Sequence, residues 1–253
     1  MAYGFNNDKS KAEIINEGNA GFHNSVYRGK YLGSSLTAAQ SQAITNGTFD
    51  DLFIGDYWTI GGVNYRIASF DYYYGKYNFN SHHAIIVPDT TLYNQRMEAT
   101  SITTNGYAGS EMFLTGLNNA LTTIQNAFGA NHVLEHTLYF TSASQNGRPS
   151  GSTSKAVKLE IMDEVMVYGT HIMAARPDPT TSGGKTGFIT LATSQLNLFT
   201  MRPDLIKSQN NNWYWLRDIV DAASFAGVGN YGGNAFCSYA TYNCGVRPAF
   251  AIQ

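Results

Sequence analysis

The sequence predicts an α+β fold, in which short strands and two or three helices follow one another without a regular strand–helix–strand alternation. Three observations favour this class. Residues 213–252 are rich in aromatic and β-prone side chains, residues 110–128 have a helical hydrophobic period, and residues 57–67 have the pattern of a β-hairpin. The 253 residues suffice for one large domain or two small ones, and we predict a single domain over 31–253.

The N-terminal segment is predicted to hold an arm and one capped helix. Residues 1–30, rich in Asn and Gly, are expected to be extended, with one short helical pattern over 8–15. Thr37-Ala38-Ala39-Gln40 matches a capping box, which predicts a helix to about Thr45 that ends at Asn46-Gly47.

A hairpin and a buried strand follow. The β-prone runs 57–60 and 63–67 flank Gly61-Gly62, a pair suited to a two-residue turn. A buried strand is predicted over 83–87, where His83 precedes the apolar run 84–87, and it is ended by Pro88.

The clearest helix is predicted over 110–128, with Gly129 as its stop. Its apolar face would contain Met112, Phe113, Leu117, Ala120, Leu121, Ile124 and Phe128. Residues 133–140 fit either a helix or a strand. Residues 157–159 are strand-like, and Asp163 is a good cap for a helix after them. From Trp213 onwards the chain is predicted to be β.

Composition narrows the classes of partner. Charged residues make up 13% of the chain and the net charge is −2, so Asn, Ser, Thr, Gly and seventeen Tyr residues carry the polar character instead. These values give no electrostatic footprint for nucleic acid or an anionic membrane. We find no secretory signal pattern, and the apolar runs are too short to span a bilayer. The sequence therefore predicts a protein made in a cytoplasm but with a composition typical of exposed surfaces, such as a particle component released by lysis.

Catalytic and metal patterns are weak. His132-Val133-Leu134-Glu135-His136 matches the H-x-x-E-H zinc-protease pattern, but Gly129 and the β-prone residues after it oppose the long helix that this chemistry needs. Asp163-Glu164 fits a catalytic carboxylate pair or a helix N-terminus, and we favour the helix. We predict no catalytic residue, no metal site and no cofactor.

The two cysteines, Cys237 and Cys244, are seven positions apart about a predicted turn. Opposite places on a hairpin would allow a disulfide, with a loop small enough to contribute roughly 2–3 kcal/mol. Synthesis in a reducing compartment favours free thiols, and the two cysteines could be oxidised only after the protein is released from the cell.

Trp213-Tyr214-Trp215-Leu216-Arg217 and, some thirty residues later, Gly245-Val246-Arg247-Pro248-Ala249-Phe250 resemble the "W-W-L-R-S … G-V-R-P-A" ending of a family of uncharacterised phage and gut-bacterial domains. That family resembles the C-type-lectin-like fold of formylglycine-generating enzymes and of the variable proteins of diversity-generating retroelements. Upstream segments, including 47–58 and 82–89, resemble phage virion proteins. The resemblance spans roughly 27–252, and Asp218 stands where the pattern has Ser.

The resemblance implies roles for particular residues. Trp213, Trp215 and Leu216 would lie in the core, while Arg217 and Arg247 would be structural and bond to backbone at strand ends. The ligand surface would lie on Ser224–Asn243, without a carboxylate cluster for calcium. Its candidate ligand-binding residues are Asn230, Tyr231, Asn234, Tyr239, Thr241, Tyr242 and Asn243, whereas Phe225 fits either that surface or the core.

Three functions follow as hypotheses. The first is a non-enzymatic virion protein, a head fibre, decoration or tail adhesin, anchored to other virion proteins through residues 1–30 and binding a host glycan or protein, in a homo-oligomer. The second is a copper oxidase resembling formylglycine-generating enzymes, with Cys237 and Cys244 as soft ligands. The third is a capsid or tail cement protein without a host ligand.

Overall fold

A computed structural model describes residues 20–141, 144–145, 147–175 and 193–253. It confirms the α+β class: two main sheets and two small ribbons are accompanied by short helices. The prediction of two or three helices is too low, because the described residues contain five α-helices. These are α1 (Ala20–His23), α2 (Ala38–Thr45), α3 (Asn118–Phe128), α4 (Glu164–Tyr168) and α5 (Asn197–Met201).

The first sheet has six strands in the order β1-β2-β3-β4-β15-β10, and every pair is antiparallel except β1 with β2. The predicted hairpin forms its β2–β3 pair. Most of β3 and all of β4, β10 and β15 are buried, so this sheet is the centre of the core. Its strands are β1 (Tyr31–Gly33), β2 (Tyr57–Ile60), β3 (Val63–Phe70), β4 (Ala84–Pro88), β10 (Leu159–Ile161) and β15 (Pro248–Ile252).

The second sheet has five strands in the order β13-β12-β11-β14-β5. Tyr214 pairs with Gly245 in the parallel contact between β11 and β14. A Cβ at Gly245 would lie 2.3 Å from a side-chain atom of Thr91 and 2.6 Å from the Trp213 carbonyl oxygen, so glycine is required for this approach. Its strands are β5 (Tyr93–Gln95), β11 (Tyr214–Ile219), β12 (Ser224–Val228), β13 (Ala235–Tyr239) and β14 (Cys244–Val246).

Two antiparallel ribbons complete the β-structure. One pairs β6 (His136–Thr141) with β9 (Ser152–Val157), and the other pairs β7 (Ser144–Gln145) with β8 (Arg148–Pro149). The stretch over 133–140 that fitted either class therefore forms a strand over most of its length. Val133 bridges Ile252 and His136 opens β6, so the H-x-x-E-H residues do not lie on a helix.

Local signals located several helix ends correctly. Thr37 and Gln40 make the reciprocal capping box before α2, and Asn46 follows its last residue. Asp163 caps α4 by accepting a hydrogen bond from the Met166 N–H, 2.7 Å away. The helix predicted over 110–128 is divided into a π-turn, Met112–Gly116, and α3. At the junction the Tyr93 hydroxyl donates to the Gly116 carbonyl oxygen, so packing against β5 replaces regular α-helix geometry there.

The described part of the predicted arm packs against the domain. His23 in α1 is buried, and its Nδ1 lies 2.6 Å from the Leu52 carbonyl oxygen. Arg28 forms ion pairs with Asp51 and Asp56, and Lys30 also pairs with Asp51. Residues 20–30 thus belong to the fold, whereas residues 1–19, including the helical pattern over 8–15, lie outside the described residues.

Among the described residues, no helix combines the length and the apolar character needed to cross a bilayer.

Candidate binding surface and its buried supports

The segment predicted to bind ligand is partly core. Every residue of β12 is buried, and Phe225 is fully inaccessible to solvent. The structure therefore assigns Phe225 to the core, the alternative that the sequence left open. It also corrects the prediction of one surface over Ser224–Asn243, because the exposed residues of that segment lie beyond the ends of β12 or on the edge strand β13.

The exposed candidates are divided between the two ends of the β12–β13 hairpin. Val228 pairs with Ala235 at one end, and Ser224 pairs with Tyr239 at the other. Four residue steps of strand separate these pairs, a distance of about 13 Å. We call residues 229–234 the glycine turn and residues 239–243 the tyrosine end.

The glycine turn carries the exposed Tyr231 and Asn234, whereas Asn230 is half-buried and its Oδ1 is not accessible to solvent. The Gly229 N–H donates to the Asn234 carbonyl oxygen at 2.7 Å and closes the turn. The Tyr168 hydroxyl donates to the Gly233 carbonyl oxygen at 2.9 Å, which ties the turn to α4. Tyr231 is 83% exposed and lies at the opposite end of the hairpin from Tyr239 and Tyr242.

The tyrosine end carries Tyr239, Thr241, Tyr242 and Asn243. The rings of Tyr239 and Tyr242 are 55% and 58% exposed, and they lie nearly parallel with centroids 6.3 Å apart and an interplanar angle of 22°. Thr241 and Asn243 are exposed beside them. Two aromatic rings and two small polar side chains are thus exposed together on one turn.

The backbone under the tyrosine end is held by a neighbouring loop. Ala240 is buried, and its carbonyl oxygen accepts from the N–H groups of Met97 and Glu98 at 2.9 and 3.0 Å. Its own N–H donates to the Ala223 carbonyl oxygen at 2.8 Å. The Thr241 hydroxyl contacts that of Ser101 at 3.1 Å. These bonds fix the backbone of the turn, so little backbone freedom remains to be lost on binding.

Arg217, on the central strand β11 of this sheet, lies in a buried ion-pair network. Its guanidinium donates to both Glu160 and Asp163, and to the Ile161 carbonyl oxygen at 2.8 Å. The Tyr73 hydroxyl also donates to Glu160. Burial alone would lower the pKa of Arg217, but the charges of Asp163 and Glu160 raise it above its usual value. The resemblance implied that Arg217 would bond to backbone groups, whereas its main partners are the carboxylates of Glu160 and Asp163.

Arg247 joins the two sheets through oxygen atoms without formal charge. Its guanidinium donates to the carbonyl oxygens of Pro88, Leu205 and Ile206 at 2.7–3.1 Å and to the Tyr214 hydroxyl at 3.2 Å. Pro88 ends β4 in the first sheet, while Tyr214 begins β11 in the second. The structure thus places Arg247 where the resemblance implied, as a multi-donor brace at strand ends.

Trp213 and Trp215 lie in different environments. Trp215 and Leu216 are fully buried, and the Trp215 indole N–H donates to the Gln95 carbonyl oxygen at 2.8 Å. Trp213 is 44% exposed, which corrects its expected place in the core. The residue precedes β11, and its ring packs edge-on against Phe236, centroids 5.0 Å apart, instead of entering the sheet interior.

Cys237 and Cys244 are free thiols on strands that are not neighbours. β12 and β11 separate β13 from β14, which places the cysteines about 14 Å apart by strand spacing. A disulfide needs Cα atoms within about 7 Å. Burial raises the pKa of the Cys244 thiol to about 12, and it also raises that of Cys237. The structure does not bring the thiols together as the copper hypothesis requires.

Asp163 and Glu164 point to different partners. Asp163 caps α4 and pairs with Arg217. Glu164 is buried and accepts from the N–H groups of residues 172–174. These contacts favour the helix-start interpretation over a catalytic pair. Glu164 also lies near His171 and Asp218. The sequence did not reveal this grouping, because Asp218 follows His171 only after 47 positions.

A separate cleft of about 720 Å³ lies between β1, α2 and the loop 46–51. The exposed ring of Tyr31 and the ion pair between Lys30 and Asp51 form part of its wall. It lies outside the segment predicted to bind ligand.

Comparison of the chain with protein-family models, with curated proteins and with solved structures finds no match.

Proposed function

We propose that this protein is a non-enzymatic recognition module of a bacteriophage particle, and that the tyrosine end binds a glycan on the host surface. The observation that carries the proposal is the pair of exposed, nearly parallel rings of Tyr239 and Tyr242 on a hydrogen-bonded turn. The proposal narrows the predicted ligand surface to Tyr239, Thr241, Tyr242 and Asn243. Asn230, Tyr231 and Asn234 form a second contact region at the far end of the hairpin.

The chemistry of the tyrosine end fits a sugar. Tyrosine rings offer flat apolar area for the C–H face of a pyranose, and their hydroxyls bond to its rim. Thr241 and Asn243 add small adaptable hydrogen-bonding groups. Holding these groups on a fixed turn reduces the entropy lost when a ligand orders them.

The C-type-lectin-like relationship is part of the same proposal. Two arrangements support it: the C-terminal strand β15 lies inside the first sheet, and the exposed segment connects strands of the second. The particle location is supported by the low charge, the seventeen tyrosines and the resemblance to phage virion proteins. Other virion proteins are the proposed partners through the N-terminal segment, and a homo-oligomer would multiply weak glycan contacts.

A glycan array with purified protein, followed by titration of the best ligand, tests the recognition site. The variant Tyr239→Ala/Tyr242→Ala should bind about tenfold more weakly or worse, because each of the two lost aromatic contacts contributes about 0.5–1.5 kcal/mol and ~1.4 kcal/mol is a tenfold change in Kd. Tyr74→Ala is the matched control, since Tyr74 is an exposed tyrosine outside the segment and should leave binding unchanged. Tyr231→Ala reports on the glycine turn separately.

Undiminished binding by the double variant would reject the tyrosine end as the site. Silence on the array together with tight attachment to particles would favour the cement hypothesis.

The particle location needs its own experiment. Because residues 20–30 pack against the domain, the anchor is tested by deleting residues 1–19 alone. The shortened protein should keep the thermal unfolding of the full chain but fail to join particles, as judged by antibody labelling in electron micrographs. Normal incorporation of the shortened protein would reject the anchor, and absence of the full chain from particles would reject the location.

A further inference from the structure

Three side chains from separate segments converge beside α4. Glu164 is the first residue of α4, His171 lies in the loop after it, and Asp218 lies near the end of β11. One ligand atom from each lies within 4.8 Å of those from the other two. An imidazole nitrogen and two carboxylates are a donor set that divalent transition ions bind in proteins.

The carboxylates are oriented by backbone N–H groups. Glu164 Oε2 accepts from Ile172 and Ala174 at 2.8 and 3.0 Å, and Oε1 accepts from Met173 at 2.8 Å. Asp218 Oδ2 accepts from the Glu164 N–H at 2.7 Å, while Oδ1 lies 3.5 Å from His171 Nδ1. Ligand carboxylates in metal sites are commonly held by such outer hydrogen bonds, which fix their direction before an ion arrives.

The local charge balance also favours a cation. Glu164 is fully buried, and Asp218 is largely so. Arg217 is engaged by Glu160 and Asp163. Placing two carboxylates together in a poorly hydrated position is costly unless positive charge compensates them.

We propose that Glu164, His171 and Asp218 form a binding site for one divalent transition ion of the Zn²⁺ type, with water completing the coordination. The nitrogen donor and the small number of oxygens suit Zn²⁺ better than Ca²⁺, which takes six to eight oxygen ligands. The ion would tie α4, the loop at 171–174 and β11 together. Since Tyr168 at the end of α4 bonds to Gly233, it would also stiffen the support of the glycine turn.

Isothermal titration of the metal-free full chain with Zn²⁺ tests the proposal. We expect one ion per chain and a thermal midpoint that rises by roughly 5–10 °C when free Zn²⁺ is about 100-fold above its Kd. Ca²⁺ at the same concentration should leave the midpoint unchanged. Co²⁺ should give visible ligand-field absorption without a thiolate charge-transfer band.

Variants distinguish this site from adventitious binding. His171→Ala changes a partly exposed side chain and Asp218→Asn keeps the shape of the carboxylate, so both proteins should fold, and each should weaken Zn²⁺ binding at least tenfold. His132→Ala is the matched histidine control. Cys237→Ser removes the exposed thiol, the most plausible competing soft ligand, and both controls should bind like the unaltered chain.

Failure of the unaltered chain to bind Zn²⁺, or binding that survives both His171→Ala and Asp218→Asn, would overturn the site. Loss of binding in Cys237→Ser or a thiolate band with Co²⁺ would assign the ion to the thiol instead.

Discussion

Arg217 and Arg247 are both buried, but the protein stabilises their charges in different ways. Arg217 lies between two carboxylates, Glu160 and Asp163, whereas Arg247 donates to three carbonyl oxygens and one hydroxyl. The first arrangement balances a charge with opposite charges, and the second solvates it with dipoles. The difference shows that two buried arginines of one chain can be accommodated differently, Arg217 as the centre of ion pairs and Arg247 as a brace between the two sheets.

The surroundings extend this contrast. Tyr73, which donates to Glu160, packs its ring against His136 with centroids 4.6 Å apart, so the Arg217 region contains titratable groups. The guanidinium of Arg247 lies near two aromatic rings. Its Cζ is 5.1 Å from the ring centroid of Tyr214 and 5.6 Å from that of Phe199. We therefore expect the Arg217 region to respond to pH and the Arg247 region to respond little.

The largest expected effect is that of Arg217→Met. It leaves Glu160 and Asp163 buried without a cation, and breaking such a pair from one side costs about 3–5 kcal/mol. Urea unfolding at neutral pH measures this loss in the free energy of unfolding.

The loss should shrink as the pH falls. Burial raises the pKa of Glu160 and of Asp163, and Arg217 opposes that rise. Without the arginine, both carboxyls take up protons more readily and become neutral in acid. A loss that stays constant from pH 7 to acid conditions would contradict the ion-pair interpretation.

The next effect is acid destabilisation through His136 and His83. Burial lowers the pKa of each to about 4, below the unfolded value of about 6.5. Their contribution to stability is complete above about pH 6.5 and is lost as the pH falls towards 4, by up to about 1.4 kcal/mol per pH unit for each histidine.

Replacing one titrating ring isolates this contribution. His136→Phe keeps an aromatic ring beside Tyr73, and it should flatten the dependence of unfolding free energy on pH by up to about 3 kcal/mol between pH 6.5 and 4. His132→Phe, at the carbonyl oxygen of Gln253, is the control for changing a histidine outside this region. An unchanged slope in His136→Phe would show that His136 is already protonated in the folded protein.

Arg247→Met should have a smaller effect. It removes donors from neutral oxygens and leaves no unpaired anion, so we expect a loss of about 1–3 kcal/mol. The loss should be the same at pH 5 and pH 7, measured by urea unfolding. If Arg247→Met lowered the free energy of unfolding more than Arg217→Met does, the neutral hydrogen bonds of Arg247 would contribute more to stability than the ion pairs of Arg217, contrary to our expectation.

The smallest effect on folding is expected at the surface. Tyr239→Ala and Tyr242→Ala remove exposed rings, and each should change the free energy of unfolding by no more than about 0.5 kcal/mol. Thermal unfolding measures this change. It also shows whether the variants are folded, which the glycan-binding experiment requires. A large loss would show that the rings support the turn.

Local features were predictable where neighbouring residues decide them. The capping box at Thr37, the Gly61-Gly62 hairpin and the Asp163 cap each depend on residues within one turn or one hairpin. The prediction was less successful where a distant contact intervenes. The π-turn at Gly116 reflects packing against β5, and the exposure of Trp213 depends on where β11 begins.

The sequence by itself determined the α+β class, the aromatic character of the terminal segments and several element ends, because these follow from short-range periodicity and capping. Tertiary structure alone decided that Tyr214 pairs with Gly245, that Ser224–Val228 is buried, and that Arg217 meets Glu160 and Asp163. It also decided that Glu164, His171 and Asp218 meet. These contacts join residues far apart in the chain, and strand order, which no local pattern encodes, brings them together.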